Sequence, residues 1–248
     1  MTNLEPTQHC SRRETLLRAL FVISGIVPLF GLLGTPPETM ATLYSIYVAT
    51  YLFRRQIGNI CERCPGRRSF KLIVTFQIAG TLTELLAWSN NYLKAAEATA
   101  LFHPQLIPDL IIGAGFYGGW AVAWLLILRW FRFTVAEAFV VTGLQGIFFE
   151  QLGAVFFTML GVFVANPGLA ILLGVYAFLI HGSIVGIGLI PLMEQFRSDN
   201  QSRHWLRYPI AIVLMVALAF GGCMIVSQIA EVFGGLPEPR SIIEHPFW

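Results

Sequence analysis

The chain has 248 residues, of which 56% are hydrophobic and only 12% are charged. A soluble domain carries roughly 25% charged residues, so this composition indicates a membrane protein in contact with the lipid bilayer. The net charge of +2 is too small to favour nucleic acid as a partner. No segment is long and polar enough to form a separate soluble domain, so we treat residues 1–248 as a single membrane domain.

Long apolar stretches predict an all-α fold, a polytopic transmembrane helix bundle with seven spans. A helix needs about 20 apolar residues to cross a bilayer. By this criterion the spans lie near residues 15–34, 36–53, 69–91, 107–130, 134–164, 168–195 and 207–234. The fifth stretch is long for one crossing, which indicates a tilted helix, a kink near Gly143 and Gly146, or a broken helix.

Two of the spans have recognisable start signals. Thr35 is placed to cap the second span, the Pro36-Pro37 pair suits its first helical position, and Glu38 follows Thr35 by three residues as in a capping box. The sixth span opens in a similar way at Asn166-Pro167. These signals support a second span that is weak on hydropathy alone.

The positive charges predict the orientation. Of the 16 Lys and Arg residues, all except Lys94 and Arg240 fall in alternate connections that share one side of the membrane. The residues on the shared side are Arg12, Arg13, Arg18, Arg54, Arg55, Arg63, Arg67, Arg68, Lys71, Arg129, Arg132, Arg197, Arg203 and Arg207. Short cytoplasmic loops carry an excess of Lys and Arg. We therefore predict a cytoplasmic N-terminus and an outside C-terminus in a bacterial inner membrane, that is, a plasma membrane.

Glu84, in the third predicted span, belongs to a polar stripe at helical spacing. The stripe consists of Gln77, Thr81, Glu84, Trp88 and Asn91. Steps of four and three residues keep side chains on one helix face, and ionisable groups within a membrane usually face the bundle interior. The stripe is therefore either the wall of a polar cavity that binds substrate or protons, or a set of hydrogen bonds that hold helices together.

Glu150 and His181 are the ionisable residues that we predict near the membrane midplane. Gly143, Gly146 and Gly153 share roughly the face of Glu150, which indicates close contact with a neighbouring helix. His181 is the only histidine deep within a predicted span. Glu150, His181 and Glu84 are candidates for binding substrate or carrying a proton. A metal site at His181 and Glu150 is one alternative, and purely structural hydrogen bonding is another.

Polar residues also collect toward the predicted outer side. Gln228 and Glu231 lie three residues apart near the outer end of the seventh span, so they share a helix face. Glu84, Asn91 and Asp109 fall in the same outer half of the predicted topology. Together these residues suggest a vestibule that opens outward.

Cys61 and Cys64 form a Cys-x-x-Cys motif in a predicted cytoplasmic connection. His9 and Cys10 lie on the same side, and the four side chains are possible zinc ligands. The chain has no second Cys-x-x-Cys motif. We therefore interpret Cys61 and Cys64 as reduced surface thiols, as expected in a reducing compartment.

Two pairs of glycines have the small-x-x-x-small spacing of closely packed transmembrane helices. They are Gly115 with Gly119 and Gly182 with Gly186. Such faces serve either contacts within the bundle or contacts with another membrane protein, including a second copy of this chain. The sequence does not separate these alternatives.

Three classes of function remain open. The first is transport of a small solute or ion past carboxylates that bind and release protons. The second is a membrane-embedded enzyme that acts on a lipid or another apolar substrate. The third is a structural or assembly subunit of a membrane complex. The sequence assigns no cofactor, and the absence of Lys from the last span speaks against a retinal protein.

Overall fold

A computed structural model describes residues 12–28, 38–97, 101–196 and 201–248. Within these ranges the chain forms nine α-helices. They are α1 (Arg12–Ile26), α2 (Thr39–Leu52), α3 (Arg54–Arg63), α4 (Arg68–Leu93), α5 (Leu106–Trp130), α6 (Val135–Phe149), α7 (Ala154–Phe163), α8 (Pro167–Leu189) and α9 (Arg207–Val232). The predicted all-α fold is confirmed.

Four of the described helices, α4, α5, α8 and α9, are long and apolar enough to cross a membrane. The consecutive helices α6 and α7 pass the same test together, which gives up to five candidate spans in the described part of the chain. The predicted spans 15–34 and 36–53 coincide with α1 and α2, whose helical residues number only 15 and 14. Four to five candidate spans are thus supported by helix length and composition.

The fifth predicted span is broken. The turn Glu150–Gly153 separates α6 from α7, and the two helices meet at an angle of 76°. Gly153 has a φ of 90°, a left-handed conformation that glycine adopts without steric cost. The break therefore does not lie near Gly143 and Gly146, where a kink was one of the expectations. Both of those glycines lie within α6 and admit aromatic rings of α8.

The start of α2 differs from the predicted capping box. Glu38 itself is the N-cap residue, because its backbone is extended and its side chain accepts a hydrogen bond from the amide of Ala41 at 2.8 Å. Thr35 and the Pro36-Pro37 pair lie outside the described residues. A carboxylate at this position satisfies one amide that the helix itself leaves without a partner.

The predicted start of the sixth span is confirmed in α8. The side chain of Asn166 accepts a hydrogen bond from the amide of Leu169 at 3.0 Å. Pro167 occupies the first helical turn, where its missing amide hydrogen is not needed. The local sequence alone therefore determines where this helix begins.

The bundle is arranged around two helices. α8 packs against α2, α4, α6 and α7, and α5 packs against α4 and α9. The largest fully buried side chains come mainly from these central elements, and they include Trp120, Trp124, Phe76 and Phe133. Aromatic side chains of this size bury large apolar areas. The core therefore lies where α4, α5 and α8 converge.

The first glycine pair allows α5 and α9 to touch backbone to backbone. A Cβ atom on Gly115 would lie 2.5 Å from the carbonyl oxygen of Gly222 in α9. A Cβ atom on Gly119 would overlap the carbonyl group of Leu218 in the same helix. Only glycine fits this approach, so the pair serves a contact within the bundle.

The second glycine pair also faces helices of the same chain. A side chain at Gly182 would collide with the ring of Phe139 in α6, and one at Gly186 would collide with the ring of Tyr47 in α2. Both glycines therefore admit aromatic rings into the surface of α8. This packing explains why the most central helix of the bundle is also rich in glycine.

Contacts between connections gather the basic residues at one end of the bundle. Arg68 donates to the carbonyl oxygen of Gln195 at 2.9 Å, and Ser202 donates to that of Trp130 at 3.0 Å. The connections around α3, between α5 and α6, and between α8 and α9 therefore lie together. Residues 101–105 and the C-terminal residues 235–248 meet at the other end of α5.

The basic end includes a helix in the stretch that hydropathy predicts to be a connection. α3 has no buried residue, and it carries Arg54, Arg55 and Arg63 beside Ile57 and Ile60. The guanidinium of Arg54 lies 4.5 Å from the ring centroid of Tyr51. A short helix with one apolar and one basic face is typical of segments that lie in the membrane interface.

Candidate functional site

Glu84 is buried where α4 faces α5, with 6% of its surface exposed. Its Oε1 accepts a hydrogen bond of 2.5 Å from the hydroxyl of Tyr117. The ring of Tyr117 lies directly on Gly80, and the side chain of Glu84 lies against Gly113, where a Cβ atom would be 3.3 Å from its Cγ. The two glycines thus provide the space in which the carboxyl and the phenol meet.

Asp109 places a second carboxyl group beside Glu84. It is fully buried near the start of α5, and its Oδ1 accepts a hydrogen bond of 3.1 Å from the backbone amide of His103. Asp109 lies one helical turn before Gly113, against which the side chain of Glu84 packs, so the two carboxyl groups are neighbours. Oδ2 of Asp109 has no donor among the described protein groups. Since ionised carboxylates only accept, a bond between the two carboxyls requires a proton on one of them.

Glu150 and His181 form a second pair. Oε2 of Glu150 lies 3.9 Å from Nδ1 of His181, which is too long for a hydrogen bond but close enough for attraction if the imidazole is protonated. Nδ1 lies 3.0 Å from the carbonyl oxygen of Ala177, one turn earlier in α8. The ring of His181 also lies against Gly146 of α6. Glu150 therefore sits at the helix break, facing the most buried stretch of α8.

Aromatic rings connect the two pairs. Tyr117 contacts Trp120 with ring centroids 5.9 Å apart, and Trp120 contacts His181 at 5.7 Å. We call the five side chains that carry titratable groups the carboxyl cluster; they are Glu84, Asp109, Tyr117, Glu150 and His181. The cluster joins α4, α5, α8 and the turn between α6 and α7.

The rest of the predicted stripe does not enter the carboxyl cluster. Gln77 donates to the carbonyl oxygen of Ala114 in α5 at 2.7 Å, and Asn91 donates within its own helix to Ala87 at 2.8 Å. Thr81 is exposed. A step of four residues turns a helix about 40° beyond a full circle, which moves Thr81 to the edge of the stripe. The stripe is therefore a partial contact with α5 and not a continuous wall.

Gln228 and Glu231 lie apart from the carboxyl cluster. Both side chains are exposed on the surface of α9 near its C-terminal end. The side of α9 that faces α5 is formed by other residues, including Met215 and Ala219. The predicted outward vestibule therefore loses these two members, because the close α5–α9 contact turns their helix face away from the bundle.

The geometry gives little support to the metal-binding hypotheses. No group of three His, Cys, Asp or Glu side chains suited to a metal ion occurs in the part of the chain that the structure describes. A metal at His181 and Glu150 would therefore rest on that pair alone. Cys61 and Cys64 are free thiols, and His9 and Cys10 lie outside the described residues. Burial raises the pKa of the Cys61 thiol.

The C-terminal residues 235–248, which we call the C-terminal strap, bind across the start of α5. The amides of Leu106 and Ile107 donate to the carbonyl oxygens of Pro246 and Phe247 at 3.0 and 3.1 Å. The first amides of a helix have no partner within the helix. The strap supplies those partners, so it serves as a cap for α5.

Buried polar side chains fasten the strap to the bundle. Gln105 is fully buried, and its amide group donates to the carbonyl oxygens of Arg240 at 3.1 Å and His245 at 2.9 Å. Nε2 of His103 lies 3.0 Å from the carbonyl oxygen of Pro237. Because the backbone amide of His103 also binds Asp109, this residue connects the strap to the carboxyl cluster.

Sequence reasoning missed part of this arrangement. The sequence pattern assigns Asp109 only to an outer vestibule, and it singles out neither Tyr117 nor His103. The available signal was the run of polar side chains, His103, Gln105 and Asp109, at the start of an otherwise apolar helix. No feature of the local sequence indicates that the C-terminal strap returns to this point.

Tyr117→Phe tests the central hydrogen bond of the cluster. The substitution keeps the ring that packs on Gly80 but leaves the buried Glu84 carboxyl without its phenol donor. We expect it to destabilise the protein by about 1–2 kcal/mol, the usual cost of a buried group left unpaired. Thermal unfolding in detergent measures this effect. Tyr44→Phe is the matched control, since it removes a hydroxyl that lies 3.0 Å from Ser24 in a partly buried contact far from the cluster.

No protein-family model, curated protein or solved structure matches this chain. The function is therefore inferred from the cluster itself. In this cluster three carboxyl groups, a phenol and an imidazole lie in contact or close to one another. Four of these groups belong to helices long enough to cross a membrane, and Glu150 lies in the turn between α6 and α7.

Proposed function

We propose that this protein transports a small solute or ion across a membrane, with the carboxyl cluster as the site that binds solute or protons. The observation that carries the proposal is the buried pair of Glu84 and Asp109 between two membrane-length helices. The turn Glu150–Gly153 adds a broken helix at the same site. Transporters commonly bind their substrates where transmembrane helices are interrupted.

A purely structural role explains the cluster less well. Hydrogen bonds between transmembrane helices contribute on average only about 0.6 kcal/mol, and neutral side chains provide them. Two adjacent carboxyl groups add repulsion unless one is protonated. An assembly role through the faces of Gly115 and Gly119 or of Gly182 and Gly186 would also require these glycines to leave their partners in the chain. A homo-oligomer contact there remains a prediction.

The enzyme alternative has one observation in its favour. A groove of about 440 Å³ runs between α6 and α9 and is lined mainly by apolar side chains. Such a groove suits an acyl chain. Its polar members, Glu137 and Tyr208, are both bound to Arg207, however, and neither belongs to the carboxyl cluster. We therefore favour transport over catalysis on a lipid.

We further propose the complete topology of seven spans, with the N-terminus in the cytoplasm and the C-terminus outside a bacterial inner membrane. The gathering of the basic connections at one end of the bundle supports this orientation. The strap and Arg240 lie at the opposite end of α5. In this topology the strap covers the carboxyl cluster from the outer side.

Labelling of thiols in intact bacterial cells tests the orientation. We expect a membrane-impermeant maleimide to label Glu97→Cys and Glu244→Cys, which are exposed at the strap end. The native Cys64, which is exposed at the basic end, should react only after the membranes are opened. Efficient labelling of Cys64 in intact cells would reverse the proposed topology.

Proton movement into lipid vesicles tests the function. The purified full-length chain is reconstituted with an entrapped pH dye, and a potential is imposed with potassium and valinomycin. We expect a faster pH change than in protein-free vesicles, either with the potential alone or after addition of a solute. Glu84→Gln and Glu150→Gln should abolish it, because they keep the shape of the side chain but remove its proton, while Glu244→Gln at the exposed strap should not.

A negative result would count directly against transport. The solutes added are amino acids, sugars, organic acids and monovalent cations. If proton movement stays at the protein-free rate under every condition, the transport proposal is wrong. If it is normal in Glu84→Gln and Glu150→Gln, transport remains but the carboxyl cluster is not its site.

A further inference from the structure

One carboxyl oxygen of the pair formed by Glu84 and Asp109 lacks a hydrogen-bond donor. Oδ1 of Asp109 accepts from the His103 amide, and Oε1 of Glu84 accepts from Tyr117. Oδ2 of Asp109 is fully buried and lacks a donor among the described residues. A single proton on Glu84 would let that carboxyl donate to Asp109, and each of these acceptors would then be paired.

Other occupancies of the pair are less favourable. With no proton, two like charges would lie side by side in a buried site, where carboxyl pairs hold a proton in common. A metal ion would need further ligands, and the described residues offer no group of three suitable side chains. A proton is therefore the ligand that fits the geometry.

The titratable groups that the structure describes around the pair are a phenol, a thiol, a further carboxyl and two imidazoles. Tyr117 of α5 donates its hydroxyl to Glu84, and the sulfur of Cys223 in α9 lies 3.9 Å from the carbonyl oxygen of Ile112 in α5. Glu150, from the turn after α6, lies 3.9 Å from the imidazole of His181 in α8. On the strap side the nearest titratable side chain is His103, whose ring is engaged by Pro237 and by the amide of Gln105.

The strap covers the residues next to Asp109 at one end of the bundle. His103 is 5% exposed and Gln105 is fully buried, and both are covered by strap residues to which they are hydrogen-bonded. Phe247 of the strap stacks on Trp88 with ring centroids 5.8 Å apart. Asp109 is linked to the strap through His103, whose amide it binds and whose ring lies against Pro237.

Building on the proposed function, we propose that Glu84 and Asp109 together bind one exchangeable proton, and that the C-terminal strap controls its access from the strap end. In the exchange step the O–H bond of one carboxyl breaks, the proton passes to water, and the same bond re-forms with a proton from solution. No oxidation or reduction is involved. The strap thus serves as a gate for a proton site between α4 and α5.

Infrared spectroscopy of the full-length protein at neutral pH tests the proton site. Protonated carboxyl groups absorb separately from carboxylates. We expect wild type to show such a band, and Glu84→Gln and Asp109→Asn each to remove one protonated carboxyl per chain. Glu150→Gln tests whether the band comes instead from a proton on Glu150. Absence of the band in wild type, or its survival unchanged in both pair variants, would overturn the proposal. Loss in Glu84→Gln alone would contradict sharing with Asp109.

The rate at which the same band shifts in heavy water tests the gate. Gln105→Leu removes the strap contacts of a buried side chain, and we expect exchange to become roughly tenfold faster or more, the effect of about 1.4 kcal/mol on the closed state. Phe247→Ala, a milder change at the exposed end of the strap, should accelerate exchange less. Ile243→Ala, at an exposed strap position, is the control. Equal rates in all four proteins would show that the strap is not the gate.

The infrared measurements do not depend on transport. A shared proton in a protein that moves no protons or solutes would support the site and contradict the proposed function. If the protein transports but shows no infrared band of a protonated carboxyl that depends on Glu84 and Asp109, the proposed function is supported and the proton site is contradicted. The two proposals therefore fail separately.

Discussion

Gly222→Ala is expected to lower the apparent melting temperature of the protein strongly, whereas Gly221→Ala, one position earlier, should leave it nearly unchanged. A Cβ atom on Gly222 would overlap the carbonyl group of Gly115 in α5. A Cβ atom on Gly221 would meet no atom within 4 Å. The two variants add the same methyl group to the same helix, so helix propensity and hydrophobicity cancel in the comparison.

The overlap at Gly222 is costly because the obstructing atoms belong to the backbone. A side chain can rotate away from an added methyl group, but the carbonyl of Gly115 is fixed by the hydrogen bonding of α5. The helices must therefore separate, and the contact at Gly119 is disturbed as well. Overpacking of this kind costs about 1–3 kcal/mol, and we expect the upper part of that range.

Thermal unfolding of both variants in the same detergent measures the difference. The lipid-free protein is compared at one scan rate, since membrane proteins often unfold irreversibly. If Gly222→Ala melts together with Gly221→Ala, α5 and α9 do not approach as closely as described. Such a result would also remove the packing explanation for the small-x-x-x-small spacing of Gly115 and Gly119.

The sequence predicted the long helices well because hydrophobic length and local capping determine them. The predicted span 107–130 corresponds to α5 (Leu106–Trp130), and 207–234 corresponds to α9 (Arg207–Val232). Asn166 and Pro167 marked the start of α8 through local geometry. Both signals lie within a few residues of the feature that they predict.

Other elements were not predictable from local signals. α3 is short and charged, so a criterion based on apolar length passes over it. The break between α6 and α7 interrupts an otherwise apolar stretch at Glu150–Gly153, and Gly153 looks no different in sequence from the glycines inside α6. Its left-handed φ of 90° is a property of the folded chain.

The candidate site was predictable where a single residue was unusual. Glu84, Glu150 and His181 were selected because ionisable groups are rare in apolar helices. Asp109 was predicted only as part of the outer vestibule and Tyr117 was missed, because their importance depends on contact with Glu84, which lies more than 20 residues away in sequence. The strap was missed for the same reason, since Gln105 meets Arg240 and His245 only in the fold.

Arg207→Met is the substitution for which we expect the largest loss of stability at the basic end of the bundle. Arg207 is only 8% exposed. It donates to Glu137 at 2.5 Å and to the carbonyl oxygen of Arg132, and its guanidinium lies 5.1 Å from the ring centroid of Phe133. These contacts join the start of α9 to the start of α6, two helices that diverge further along to form the apolar groove.

Methionine keeps the length and apolar stem of arginine but removes every one of these hydrogen bonds. In this variant Glu137 keeps the capping box with Thr134 but loses its hydrogen bond from Arg207. Because its side chain is 30% exposed, water replaces part of that interaction. Breaking a buried ion pair by removal of one partner costs about 3–5 kcal/mol, and we expect about 3 kcal/mol here because Glu137 is partly hydrated.

Arg203→Met is the matched control, since it removes one positive charge from the same connection at an exposed position. Both variants weaken the charge asymmetry of the chain equally, so a difference in melting temperature between them reports the buried contacts alone. Arg207→Met combined with Glu137→Gln should be less destabilised than the sum of the single variants, because the two side chains interact directly. Equal melting of the Arg207 and Arg203 variants would mean that the clamp between α6 and α9 does not stabilise the bundle.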